Sequence, residues 1–107
     1  MSGRFDAYIL DVEGRFLVSP AVASLEGGDR KHFLIRNLTD FDATITLDED
    51  VNGTSKSADA RGGFAKFEVN PDADGDYSYV VWLHIGETDL RVNGNSDPVI
   101  IIDPPNP

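Results

Sequence analysis

The densest run of oxygen ligands in the chain is Asn70-Pro71-Asp72-Ala73-Asp74-Gly75-Asp76, where carboxylates recur at alternate positions and a glycine permits a sharp turn. Such spacing can wrap a hard cation such as calcium, with Asp72, Asp74 and Asp76 as ligands. A calcium loop of this kind closes with a bidentate glutamate at its twelfth position. Here that position is Val81, inside an apolar run. The same residues equally suit an acidic turn between strands, because Asn and Asp side chains hydrogen-bond their own backbone and tolerate left-handed φ. His84 is the other candidate metal ligand. A single imidazole beside Trp82 on a half-buried strand also reads as an amphipathic surface residue, as does His32 between Lys31 and Phe33.

A third group is purely electrostatic. Asp40, Asp42, Asp48, Glu49 and Asp50 bracket one short apolar stretch. Charge of one sign accelerates association with a basic protein partner, in a salt-sensitive way. Acidic loops also keep a small β-domain soluble and guard its edges from pairing.

Catalytic chemistry has little to work with. There is no cysteine, and neither histidine lies in a Gly-x-Ser-x-Gly or comparable nucleophile turn. Ser78 and Ser96 read as strand and turn residues. Acidic pairs are abundant, but solvated acids in an acidic protein need no catalytic explanation. Gly27-Gly28 and Gly62-Gly63 precede strand patterns, so they present no helix N-terminus to a phosphate. The expectation is a non-catalytic protein without a cofactor, calcium being the one alternative.

The elements that must position these groups follow from length and pattern. The chain has 107 residues, 40% of them hydrophobic and 26% charged, which fits one globular domain. Residues 1–103 form it on this reading, and the proline-rich 104–107 segment is a tail. The net charge of −10 repels phosphate backbones and anionic lipid, so nucleic acid is not an expected partner. The longest apolar runs, such as Val99-Ile100-Ile101-Ile102, fall far short of the ~20 residues that span a bilayer. The start, Met1 to Asp6, lacks the basic and apolar regions of a signal peptide, which makes cytoplasmic the default compartment.

Strand signals run almost throughout. Phe5 to Leu10 and Arg15 to Val18 are short, aromatic-rich segments separated by Glu13-Gly14. Arg30 to Leu38 alternates, with both faces mixed. Ala43, Ile45 and Leu47 alternate cleanly with threonines, as do Ala65, Phe67 and Val69 with Lys66 and Glu68, leaving Phe64 over an edge. Tyr77 to Ile85 is the longest candidate, with Tyr77, Tyr79, Val81 and Leu83 on one face and Val80, Trp82 and His84 on the other. Thr88 to Val92 reads as a hairpin arm turning at Asn93-Gly94, and Val99 to Ile102 returns as a strand buried on both faces. Short helical turns are expected only at Pro20 to Leu25 and Lys56 to Arg61. Seven or eight strands without a long helical period predict an all-β, Greek-key antiparallel β-sandwich.

The segment Gly75-Asp76-Tyr77-Ser78-Tyr79-Val80-Val81 resembles the lead-in to the copper strand of plastocyanin-like cupredoxins. Arg36-Asn37-Leu38-Thr39-Asp40-Phe41-Asp42-Ala43, followed by Asp48-Glu49-Asp50-Val51, resembles the stretch carrying that family's first copper histidine and an acidic run. The resemblance covers about residues 28–103 and implies a cupredoxin-like or immunoglobulin-like sandwich. It puts Ala43 in place of the first histidine and Val81 in place of the cysteine. His84 matches the second histidine, and no methionine lies downstream. A blue-copper centre needs a thiolate and two imidazoles, so the resemblance implies a copper-free domain. It also implies that the acidic run faces protein partners. Pro20, the Gly27-Gly28-Asp29 turn and Asn37-Leu38-Thr39 resemble, in addition, the strand pattern of pilus-chaperone and major-sperm-protein domains, which bind partners by strand pairing and would make self-association a further arrangement. Asn37-Leu38-Thr39 and Asn52-Gly53-Thr54 are also glycosylation sequons.

Overall fold

The computed structural model describes residues 5–25, 32–92 and 97–102. These residues form eleven strands: β1 (Ala7–Val12), β2 (Arg15–Ser19), β3 (Val22–Leu25), β4 (His32–Asn37), β5 (Asp42–Thr46), β6 (Ser55–Ala58), β7 (Phe64–Glu68), β8 (Gly75–Ser78), β9 (Val80–Ile85), β10 (Thr88–Arg91) and β11 (Val99–Ile102). Three sheets result, in the orders β2-β1-β4-β7, β10-β9-β5-β6 and β3-β11-β8. β8 runs into β9 across Tyr79, whose N–H donates to the Pro98 carbonyl at 3.0 Å. The second and third sheets are therefore continuous along that strand and make one bent layer of an all-β sandwich. The count exceeds the seven or eight strands expected, because Tyr77 to Ile85, read as one strand, divides into β8 and β9, and β3 and β6 stand where helical turns were expected. Six of the eight ladders are antiparallel, while β1–β4 and β3–β11 are parallel.

Turn chemistry sets the hairpins. Glu13 and Gly14 both have positive φ, 53° and 84°, which matches the twist of a two-residue hairpin and joins β1 to β2 in the register Val12↔Arg15. β9 and β10 pair across Gly86-Glu87, with Ile85 opposite Thr88. This corrects the hairpin expected at Asn93-Gly94. Those two residues lie outside the described set, and β10 pairs with β9 whereas β11 lies between β3 and β8. The expected helical turns are also corrected. Val22 to Leu25 alternates out and in as β3, and Ser55 to Ala58 is β6, each fixed by a ladder to a neighbour that a helix could not make. The 103/104 domain limit lies outside the described residues.

Alternation then builds the core. β5 buries Ala43 and Ile45, with Leu47 just beyond it, and β7 buries Ala65 and Phe67, followed by Val69, as their patterns predict. β4, whose faces were ambiguous in sequence, buries Phe33, Ile35 and Asn37. β11 is less enclosed than expected, with Ile100 and Ile102 buried and Val99 and Ile101 half-buried. At the centre Phe33 meets Tyr79 edge-on at 5.1 Å and Phe67 at 6.3 Å between ring centroids. Burying side chains of this size contributes about 1.5–3 kcal/mol each.

Two buried polar groups stand out in this core. Asn37 is fully buried and uses its whole amide. Its Nδ2 donates to the carbonyls of Phe41 (2.6 Å) and Ala58 (3.0 Å), and its Oδ1 accepts from Thr39 N (3.0 Å) and Thr39 Oγ1 (2.7 Å). Its backbone is joined to the next turn as well, through Gly62 N to Asn37 O (2.7 Å) and Asn37 N to Gly63 O (2.8 Å). That turn is closed so tightly that a Cβ on Gly63 would lie 2.5 Å from Asp59 N and O. The first sequon is thus an interior bracket, and a glycan has no access to Asn37. Tyr79 is the opposite case, because its buried hydroxyl has no hydrogen-bond partner among the described residues. Burial, and secondarily the negative charge of Asp6, push its pKa well above the ordinary value near 10.

Two outcomes follow for stability. Asn37→Ala should lower the free energy of unfolding by about 3 kcal/mol or more, read from the urea midpoint, since several buried partners lose their bonds together. Tyr79→Phe should leave stability unchanged or raise it by up to about 1 kcal/mol, since no bond is lost. Above pH 10 the unfolded chain releases a proton that native Tyr79 holds, so wild-type stability falls as pH rises there. Tyr79→Phe should flatten that slope.

Candidate functional site

The acidic residues divide into two groups. β5 separates Asp40 and Asp42 from Asp48, Glu49 and Asp50, and at ~3.4 Å per residue the distance from 42 to 48 is about 20 Å. At the first end, Arg61 Nε donates to Asp40 Oδ1 at 3.3 Å and Ala60 N donates to Asp42 Oδ1 at 2.9 Å. Both acids there brace the turn that follows β6. At the far end Asp48 organises a second turn. Its carbonyl accepts from the N–H groups of Val51, Asn52 and Gly53, each at 3.0 Å, and its carboxylate accepts from Asp50 N at 2.8 Å. The turn buries Val51 and leaves Glu49 and Asp50 exposed.

Asn70 N donates to the Val51 carbonyl at 2.7 Å, and Asn52 Nδ2 donates to the Glu68 carbonyl, so the second sequon amide is also engaged. Between these segments lies an open depression of about 330 Å³, lined by Glu49, Val51, Asn52, Glu68, Val69 and Asn70 with Pro71. Among the described residues no Lys, Arg or His is ion-paired with Asp48, Glu49, Asp50 or Glu68.

Asp72 and Asp74 lie on the neighbouring turn, whose backbone is fixed by internal bonds. Asn70 Oδ1 accepts from Asp72 N at 3.0 Å, Ala73 N donates to the Asn70 carbonyl at 3.0 Å, and Tyr77 OH donates to the Asp74 carbonyl at 2.6 Å. Asp76 has already entered β8, opposite Ile101. Among the described residues no three His, Asp or Glu side chains gather where they could hold a metal ion. Alternate spacing places these carboxylates on one turn without converging them on one point.

His84 has two partners that the sequence did not reveal. Its Nε2 lies 2.7 Å from Thr44 Oγ1 on β5, and its Nδ1 lies 2.7 Å from Asp89 Oδ1 on β10. Outward alternation of β5 and β9 is the signal that brings Thr44 near. The two-residue turn at Gly86-Glu87, which sets Asp89 opposite His84, brings the carboxylate. Hydroxyl, imidazole and carboxylate stand in the order of a nucleophilic triad. Here they lie on the outer face of the sheet, with the His84 side chain 41% exposed and Thr44 inside the strand ladders. The arrangement is a cross-strand staple fastening edge strand β10 to β5 through β9. Beside it Arg91 lies over Trp82 at 5.9 Å and pairs with Asp97. Ala43 and Val81 face the core and are fully buried, whereas His84 points out.

No family model matches the chain, and no curated protein matches it.

The staple has a measurable role. Thr44→Val or His84→Ala should each cost about 1 kcal/mol or less, and should speed amide exchange in Thr88–Arg91 while leaving β4 and β7 protected. Equal protection loss in β4 would mean that the network supports the whole fold.

Proposed function

We propose that this domain is a non-catalytic protein-interaction module that docks a basic partner segment at the acidic depression beyond β5. The observation that carries this reading is that Glu49 and Glu68 line an open hollow, with Asp48 and Asp50 exposed on the adjoining turn, and that none of the four has a cationic partner among the described residues. Their charge is part of the net −10 of the chain, and the attraction extends over roughly a Debye length at physiological salt. Pro71, exposed at the edge of the hollow, gives it an apolar component that a partner side chain can cover. Asp40 and Asp42 serve the 59–63 turn and stand outside the docking surface. The cupredoxin-like resemblance is compatible with this reading. It aligns the metal-binding positions with core aliphatics and leaves the acidic turn as the exposed feature.

Chemical-shift mapping with a lysine-rich peptide tests the proposal. The largest shifts should fall on residues 48–53 and 68–70, and affinity should drop about tenfold or more between low and physiological salt. Glu49→Lys with Asp50→Lys should abolish that pattern, whereas Asp72→Lys with Asp76→Lys, which changes the net charge equally, should preserve it. Equal loss in both variants would reduce the effect to net charge and overturn the assigned site.

A further inference from the structure

The outer face of the β2-β1-β4-β7 sheet has the wrong composition for a surface meant to stay in water. A solvated face of a sandwich alternates to polar residues, as β5 and β6 of the opposite layer do with Thr44, Thr46, Ser55 and Ser57. On this sheet the outward positions are instead Tyr8 and Leu10 on β1, Leu17 on β2 and Leu34 on β4, with exposed Leu38 beyond β4 and Phe64 on β7. Phe5 joins them, its ring 5.9 Å from Tyr8 and 5.5 Å from Phe64. Phe64 is 53% exposed, which leaves a large aromatic surface uncovered.

Charge indicates what covers it. Arg15, Arg36 and Lys66 lie on outward positions of this face, with Glu68 opposite His32 at its margin, and none of the three cations has an ion-pair partner among the described residues. The Arg36 guanidinium is held in place over the Phe5 ring at 5.3 Å and by Nε donating to the Gly62 carbonyl at 3.1 Å. The face is therefore an aromatic, cationic patch on a chain whose net charge is −10. The complementary charge, exposed carboxylates near the exposed Pro71, is present on the same molecule at the Asp48–Asp50 turn.

We infer that the chain self-associates head to tail, the acidic turn of one copy docking on the Arg36–Phe64 face of the next. This inference rests on the reading of that turn as a docking site. It specifies the partner as a second copy of this chain. The contact joins two different patches, so each copy keeps one of each free and the assembly grows unless its rotation closes a ring. One turn against part of a four-stranded sheet is a small interface, which places the association in the weak, salt-sensitive class.

Sedimentation equilibrium of the full chain at about 10 µM to 1 mM, at low and high salt, reads this directly. At low salt the mass should rise past the dimer with concentration, and at high salt it should return to the monomer. A face variant, Arg36→Glu with Phe64→Glu, and a turn variant, Glu49→Lys with Asp50→Lys, should each stay monomeric. Mixed in equal amounts, they should form a dimer and stop there, because each supplies the patch the other retains. Lys66→Glu, at a fully outward position, is the milder face variant if the double one fails to fold. A wild-type chain that stays monomeric at 1 mM and low salt overturns the inference, as does a dimer that mixing does not restore. If the lysine-rich peptide still maps to the acidic turn in that case, the docking site stands and only the identity of the partner falls.

Discussion

The buried amide of Asn37 is the constraint on which the arrangement of this domain turns. An apolar residue there would remove the amide donor from the buried Ala58 carbonyl and one of the two donors to the Phe41 carbonyl, which Thr39 Oγ1 also reaches at 3.0 Å. With the amide present, the end of β4, the approach to β5 and the turn between β6 and β7 are fixed to one point. β4 is the strand through which the first sheet is held together, lying between β1 and β7. The same bracket thus ties that sheet to the opposite layer at the place where the chain crosses between them. A fully satisfied polar network inside a core specifies geometry as well as contributing stability.

The consequences of that bracket reach the surface. The 59–63 turn it anchors is the turn that Asp40 and Asp42 brace, so two of the five acidic residues that bracket β5 are committed to local structure there. The acids beyond the other end of β5 hold a turn of their own through Asp48, which frees Glu49 and Asp50 to face solvent. The distinction between structural and available carboxylates is a distinction of hydrogen-bond geometry. Net charge alone does not contain it.

Much of the fold was legible because alternation is a local property. Ala43-Thr44-Ile45-Thr46-Leu47 and Ala65 to Val69 declare their buried sides within a few residues, and Glu13-Gly14 declares its turn through left-handed backbone preference. What escaped was long-range. Asn37-Leu38-Thr39 reads locally as a sequon, and its burial depends on Ala58, 21 positions away. His84 reads as a solitary imidazole because Thr44 is 40 residues distant. The hairpin was misplaced at Asn93-Gly94, a strong turn dipeptide, because Gly86-Glu87 is a weaker signal for the same geometry. Lys56 to Arg61 carries good helix formers, but the ladder to β5 overrides propensity in so short a segment.

The position of Trp82 has a bearing on how this molecule appears spectroscopically. It is the single tryptophan of the chain, and it lies on the outer face of β9 beside the guanidinium of Arg91, away from the Phe33–Phe67–Tyr79 centre. Its emission therefore reports the solvent and charge environment of the β9–β10 margin. Near-ultraviolet signals from Tyr79 report the interior instead. Agreement between the two during denaturation would signify a single cooperative unit. An earlier change in tryptophan emission would resolve the margin as a separately melting layer around an intact core.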